Sequence, residues 1–72
     1  MKVIAHKTYD LKNGFGVDCI TRVDMAGNKQ YVVEVVMLTV PWRECVDRYE
    51  CWNNPDACNS VFKSFVAKYR YL

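Results

Sequence analysis

A chain of 72 residues has room for one domain, and its formal net charge of +2 is too small to require a nucleic-acid or anionic-membrane partner. Hydrophobic residues make up 51% of the chain, with only three glycines and two prolines, and this composition excludes disorder and low complexity. Segment 1–10 lacks the apolar core of a signal peptide, and no apolar run is long enough to span a bilayer. We therefore expect a cytoplasmic globular protein without membrane contact, whose four cysteines are reduced thiols.

The first half of the chain predicts three β-strands. Residues 2–9 and 16–24 alternate between their two sides, and residues 30–40 form a longer and more apolar strand. Glycine and asparagine mark turns in segments 12–16 and 25–28. Loops this short join only antiparallel neighbours, so the three strands are predicted to form an antiparallel meander.

The second half predicts two helices. Pro41 ends the third strand, and the apolar residues of segment 41–52 recur at helical spacing. These residues are Trp42, Cys45, Val46, Tyr49 and Trp52. Asn54, followed by a proline and an acid, has the pattern of an N-cap, so a second helix is predicted over about 55–70. The expected fold is a single α+β domain over residues 1–72, a three-stranded antiparallel meander followed by two helices (βββαα).

The strand Tyr31–Val40 is apolar on both sides, and Glu34 is its only charge. A chain this short covers one sheet face well, so one side of the strand is expected to stay exposed. If the preceding loop has two or four residues, Val32, Val36 and Glu34 lie beneath the helices. The opposite side then forms an exposed stripe of Tyr31, Val33, Val35 and Met37. A loop of three or five residues would reverse the two faces.

No arrangement of residues predicts an enzyme, a cofactor site or a metal site. Cys45, Cys51 and Cys58 lack the short spacing of zinc-binding cysteine pairs, and the one histidine, His6, is on a different element. In the predicted two-helix arrangement Cys45 and Cys58 are within disulfide reach, whereas Cys51 points elsewhere. Buried free thiols are the simpler interpretation. A redox or metal module built on the cysteines is one alternative function.

Three features are typical of partner-binding surfaces. The first is the exposed stripe, and the second is the unpaired edge of the N-terminal strand, which can accept a partner strand. The edge residues are Val3, Ile4, His6 and Lys7. The third is Trp52, expected to be partly exposed at a helix end, because exposed tryptophans commonly anchor interfaces. A homodimer that buries the stripe is an alternative. Another is nucleic-acid binding through the basic residues of the last helix, Lys63, Lys68 and Arg70.

In overall profile the chain resembles the small phage-encoded proteins that bind and inhibit host machinery, such as RNA polymerase inhibitors and anti-CRISPR proteins. The resemblance is carried by a single small domain that begins MKVIAHK, by the apolar strand YVVEVVMLTV and by a chain without a catalytic set. It implies a binding protein without a cofactor that occludes or alters a larger protein partner. Regulation of transcription through contact with host RNA polymerase is the specific function that it suggests.

Overall fold

The computed structural model describes every residue from Met1 to Leu72. Four antiparallel strands form one sheet in the order β1-β2-β3-β4, and a single helix packs on one of its faces. The elements are β1 (Lys2–Asp10), β2 (Phe15–Val23), β3 (Lys29–Met37), β4 (Cys45–Trp52) and α1 (Pro55–Tyr69). The predicted order βββαα is wrong, because the chain has four strands and one helix.

β1, β2 and β3 lie close to the segments that the sequence predicted as strands, and they pair as successive antiparallel neighbours. The turn before β2 uses positive φ angles at Lys12 and Gly14, +65° and +93°, which the asparagine and glycine residues of this segment indicated. Ile4 is an extra residue that forms a β-bulge in the pairing of β1 with β2. β1 is an edge strand, and all nine of its residues are exposed.

The segment predicted as a helix over 41–52 instead forms a loop and the fourth strand. Arg43 has a φ of +50°, a left-handed conformation that interrupts any helix through this segment. β4 pairs antiparallel with the outer edge of β3. Without β4, that edge would leave its backbone N–H and C=O groups unpaired, although β3 has the doubly apolar composition of a central strand. Segment 45–52 therefore forms a strand that pairs with β3, although the spacing of its apolar residues also fits a helix.

α1 begins and ends close to its predicted bounds. Asn54 is the N-cap, and its Oδ1 accepts a hydrogen bond from the backbone N–H of Ala57 at 3.1 Å. At the other end, the side-chain amide of Asn13 donates to the carbonyl oxygens of Tyr69 and Arg70, at 2.8 and 3.1 Å. These bonds satisfy carbonyl groups that the last turn of a helix leaves without partners, and they tie α1 to the turn before β2. α1 is neither long enough nor apolar enough to cross a lipid bilayer.

The loop between β2 and β3 has five residues, 24–28, and this odd number decides which face α1 covers. Val17 lies opposite Val35 in the β2–β3 ladder, and both pack beneath α1 together with Val33. The three valines are fully buried and form the core cluster with Tyr69. The prediction of an exposed stripe is therefore wrong: the helix side of the sheet carries Tyr31, Val33, Val35 and Met37. Glu34 lies on the opposite face.

The segment 38–44 folds back over the face opposite α1. Leu38 lies against Gly16 of β2, where an added Cβ atom would come within 2.9 Å of Leu38 Cδ1. Glycine at this position therefore leaves room for the returning chain. The backbone N–H of Met37 donates to the carbonyl oxygen of Glu44 at 2.8 Å, where the chain rejoins the sheet. The segment covers one corner of this face.

Candidate functional site

The face of the sheet opposite α1 is the candidate functional site. We call it the open face, because no helix lies across it. The strand register places eleven central residues on it: His6, Thr8, Asp18, Ile20, Arg22, Gln30, Val32, Glu34, Arg48, Glu50 and Trp52. Most of these side chains are polar or charged, and the valine core on the helix side supports them from behind.

Asp18 is the centre of a charged cluster on the open face. Its side chain is 9% exposed, and its Oδ1 accepts a hydrogen bond from Thr8 Oγ1 at 2.5 Å. Arg43, in the loop before β4, donates from Nη2 to the same oxygen at 3.1 Å. His6 Nε2 lies 3.6 Å from that oxygen. Asp18 is also the direct cross-strand neighbour of Glu34, and like charges in this position repel each other. Arg43 therefore supplies the compensating charge.

A second polar cluster lies at the β4 side of the open face. Arg48, opposite Glu34 in the β3–β4 ladder, donates from Nη2 to Glu50 Oε2 at 3.1 Å. Gln30 donates its side-chain amide to the same oxygen at 3.3 Å, while its own Oε1 is buried without a hydrogen-bond partner. Trp52 is the cross-strand neighbour of Gln30 and is 46% exposed. The open face therefore has equal numbers of arginines and carboxylates. The arginines are Arg22, Arg43 and Arg48, and the carboxylates are those of Asp18, Glu34 and Glu50.

The predicted partner-binding residues of β1 are divided by the strand geometry. Val3 and His6 lie on the open face, and Ile4 forms the bulge. Lys7 lies on the helix side, with its Nζ 4.8 Å from the ring centroid of Tyr9. All four predicted residues are exposed. Trp52 is partly exposed as predicted, although it ends a strand, and it shares one cross-strand row with Val3.

Sequence reasoning did not select the acidic and basic residues at the centre of the open face. Arg48 and Glu50 were assigned to a helix, so their alternation along β4 was not used. That alternation was the available signal: Asp47, Tyr49 and Cys51 face α1, whereas Arg48, Glu50 and Trp52 face away. Asp18 was not selected either, and it lies on the open face as the cross-strand neighbour of Glu34.

The basic residues Lys63, Lys68 and Arg70 are exposed at α1 and its C-cap. Lys68 is partly engaged within the fold, since its Nζ is 3.5 Å from Asp47 Oδ2. Tyr69 donates its hydroxyl to the same oxygen at 3.0 Å, and burial, followed by this bond to Asp47, raises the pKa of Tyr69. The predicted basic patch is therefore reduced by one cation.

The cysteines divide between the two faces of the sheet. Cys45 is exposed on the open-face side, so its predicted approach to Cys58 does not occur, because the sheet lies between them. Cys58 packs against the core cluster, and Cys51 Sγ is 3.3 Å from the carbonyl oxygen of Asn54. Burial, and secondly the charge of Cys58, raise the pKa of Cys19 to about 11. All four cysteines are free thiols, and no group of side chains is placed to hold a metal ion.

Comparisons with protein-family models, with curated proteins and with solved structures find no match to this chain. The function proposed for it rests on its own residues, and chiefly on those of the open face.

Proposed function

We propose that this protein is a small non-enzymatic binding protein that regulates or inhibits a larger protein partner. The observation that carries the proposal is the open face, which presents the carboxylates of Glu34 and Glu50, three arginines and a partly exposed tryptophan without a helix across it. A cytoplasmic location is part of the proposal, and the four free thiols support it.

The composition of the open face favours a protein partner over nucleic acid. Arginine and tryptophan are enriched among the residues that dominate protein interfaces. Nucleic-acid surfaces need an excess of cations, whereas Arg43 and Arg48 are matched by the carboxylates that they contact. The open face therefore suits a partner with a mixed arrangement of charges.

β1 extends the candidate interface beyond the open face. It is an outermost strand, so one of its edges has no strand neighbour. The bulge at Ile4 and the lysines Lys2 and Lys7 are devices by which edge strands avoid indiscriminate pairing. The regular part of β1, residues 5–10, remains available to a partner strand with acidic residues opposite the lysines.

The resemblance to phage-encoded inhibitors makes RNA polymerase the first partner to test. The immobilised protein is incubated with purified RNA polymerase and, separately, with cell lysate. Two open-face variants, Arg22→Glu and Trp52→Ala, are compared with Lys63→Glu on α1, and circular dichroism verifies that each is folded. The partner retained by the wild type is expected to bind Lys63→Glu equally and each open-face variant about tenfold more weakly, as for loss of an interface anchor.

Two results would contradict the proposal. The first is that the folded wild type retains no protein above background. The second is that the open-face variants retain the partner as well as the wild type does. Selective loss of binding in Lys63→Glu would instead assign the contact to α1.

A further inference from the structure

The end of β4 and the beginning of α1 bring two cysteines to one backbone oxygen. Cys51 Sγ lies 3.3 Å from the carbonyl oxygen of Asn54, and the backbone N–H of Cys58 donates to the same oxygen at 3.4 Å. Cys51 faces α1, because it pairs with Tyr31 on the helix side of the sheet. Cys58 faces the sheet, because it packs against the core cluster. The two side chains therefore point into the same narrow space between strand and helix.

We propose that Cys51 and Cys58 are a thiol pair that closes to an intramolecular disulfide on reaction with a small-molecule disulfide of the glutathione type. A disulfide requires Cα atoms about 4.4–6.8 Å apart and side chains directed toward each other. The shared Asn54 oxygen brings Cys51 Sγ and the backbone of Cys58 together, and the N-cap fixes the turn between them. Burial is the main cause that raises the pKa of the Cys58 thiol, and the charge of Cys51 raises it further. This second effect is consistent with neighbouring sulfur atoms.

The position of the two thiols in the fold sets the order of the reaction. Both thiols are half-buried, but Cys51 lies near the end of the edge strand β4, so its thiolate attacks the small molecule first. Its thiolate attacks one sulfur of oxidised glutathione, which forms a mixed disulfide and releases one glutathione thiolate. The thiolate of Cys58 then attacks Cys51 Sγ, forming the internal disulfide and releasing the second glutathione. Two protons from the cysteines end on the two glutathione thiols, and two electrons pass to the reagent.

Cys19 is the competing partner for Cys58, and the geometry favours Cys51. Cys19 lies on β2, in the interior of the sheet, and burial raises its pKa to about 11, so little of it is thiolate at neutral pH. Closure between Cys51 and Cys58 joins β4 to the first turn of α1 on the side away from the open face. The proposal is thus independent of the partner-binding function.

The test is peptide mapping of the folded wild type after incubation with oxidised glutathione and capping of free thiols with N-ethylmaleimide. Trypsin leaves Cys51 and Cys58 in one peptide, 49–63, and places Cys19 and Cys45 in two others. We expect peptide 49–63 to be uncapped and lighter than its reduced form by two hydrogen atoms. Peptides 13–22 and 44–48 should each carry one cap. The number of titratable thiols should fall from four to two.

Variants distinguish the proposed pair from the alternatives. Cys45→Ser and Cys19→Ser should still form the internal disulfide, whereas Cys58→Ser should stop at a stable mixed disulfide on Cys51. Capping of both cysteines in peptide 49–63 of the oxidised wild type would overturn the proposal. So would a cross-link between peptides 13–22 and 49–63, or a glutathione adduct on Cys51 that persists in the wild type.

Discussion

Arg43 and Asp18 are joined across the open face by two hydrogen bonds, from Arg43 Nη2 to Oδ1 and Oδ2 of Asp18 at 3.1 and 3.4 Å. The arginine is 43% exposed and the carboxylate only 9% exposed, so the contact places a solvated cation over a mostly buried anion. It also holds the segment 38–44 against β2. Loss of this contact is therefore expected both to destabilise the fold and to change the shape of the open face.

Replacing Arg43 with alanine is expected to lower the free energy of unfolding by about 1–2 kcal/mol, because it removes a charged hydrogen-bond partner from a mostly buried group. The matched control is Arg48→Ala, since Arg48 pairs with the exposed Glu50 and exposed ion pairs contribute about 0–1 kcal/mol. Urea denaturation measures both. Equal effects of the two substitutions would show that Asp18 does not depend on Arg43.

Replacing Gly16 with alanine is expected to destabilise the protein by about 1–3 kcal/mol, the usual cost of inserting a methyl group into occupied space. The new Cβ would lie 2.9 Å from Leu38 Cδ1. In a Leu38→Ala background the same substitution should cost much less, because the obstructing side chain is gone. A double-mutant cycle measures the difference. The same cost in both backgrounds would exclude the contact with Leu38 as the cause.

Replacing Asn54 with alanine is expected to cost about 1 kcal/mol, because it removes the side chain that accepts the Ala57 N–H at the start of α1. Asn59→Ala on the exposed side of the same helix is the control, and it should be neutral or slightly stabilising because alanine favours helices. Thermal unfolding followed by circular dichroism tests both. The N-cap assignment fails if Asn54→Ala is as stable as the control.

The protonated thiol of Cys19 is expected to make stability pH-dependent in alkaline solution. Folding raises its pKa from 9.0 to about 11, so its stabilising contribution is complete below pH 9.0 and is lost as the pH rises toward 11. The stability difference between the wild type and Cys19→Ser should therefore be constant below pH 9.0 and change in favour of the variant above it. Urea denaturation in a phosphine reductant measures it. A constant difference across the whole range would contradict the prediction.

No specific nucleic-acid binding is expected through Lys63, Lys68 and Arg70, because Lys68 lies beside the carboxylate of Asp47 and the two remaining cations are too few for a nucleic-acid surface. Fluorescence anisotropy with short labelled RNA and DNA at physiological salt provides the measurement. Affinity that falls steeply with salt and is abolished by Lys63→Glu would reverse this expectation and support the nucleic-acid alternative.

The sequence predicted the helix cap and the turn before β2, because each depends on residues that are close together in the chain. Asn54, followed by proline and an acid, identified the start of α1, because capping involves only neighbouring residues. The turn before β2 was also located, since its glycine indicated positive φ. The segment 41–52 was assigned wrongly because its apolar residues fit both a helix and a strand. The doubly apolar composition of β3 already indicated a central strand, which requires a neighbour on each side.

The candidate site depended on long-range information that local patterns do not contain. Arg43 reaches Asp18 only because the segment 38–44 folds back over the sheet, and nothing in its own composition indicates that path. The approach of Cys51 to Cys58 was missed for a related reason. The prediction placed Cys51 on a first helix, where it pointed away from Cys58, whereas on β4 it lies on the side of the sheet that faces α1.

The length of the loop between Val23 and Lys29 determines which side chains of β3 face α1. Met25 is fully exposed, whereas Gly27 has a φ of +87° and Asp24 Oδ1 accepts hydrogen bonds from the backbone N–H groups of Ala26 and Asn28, each at 2.9 Å. One residue inserted or deleted in this loop would turn β3 over, since adjacent side chains of a strand point in opposite directions. Glu34 would then meet the hydrophobic core, while its valine neighbours would enter water. Substitution of Met25 should therefore be tolerated, whereas insertion or deletion of one residue in the loop would place the buried side chains of β3 on the open face and its open-face side chains in the core.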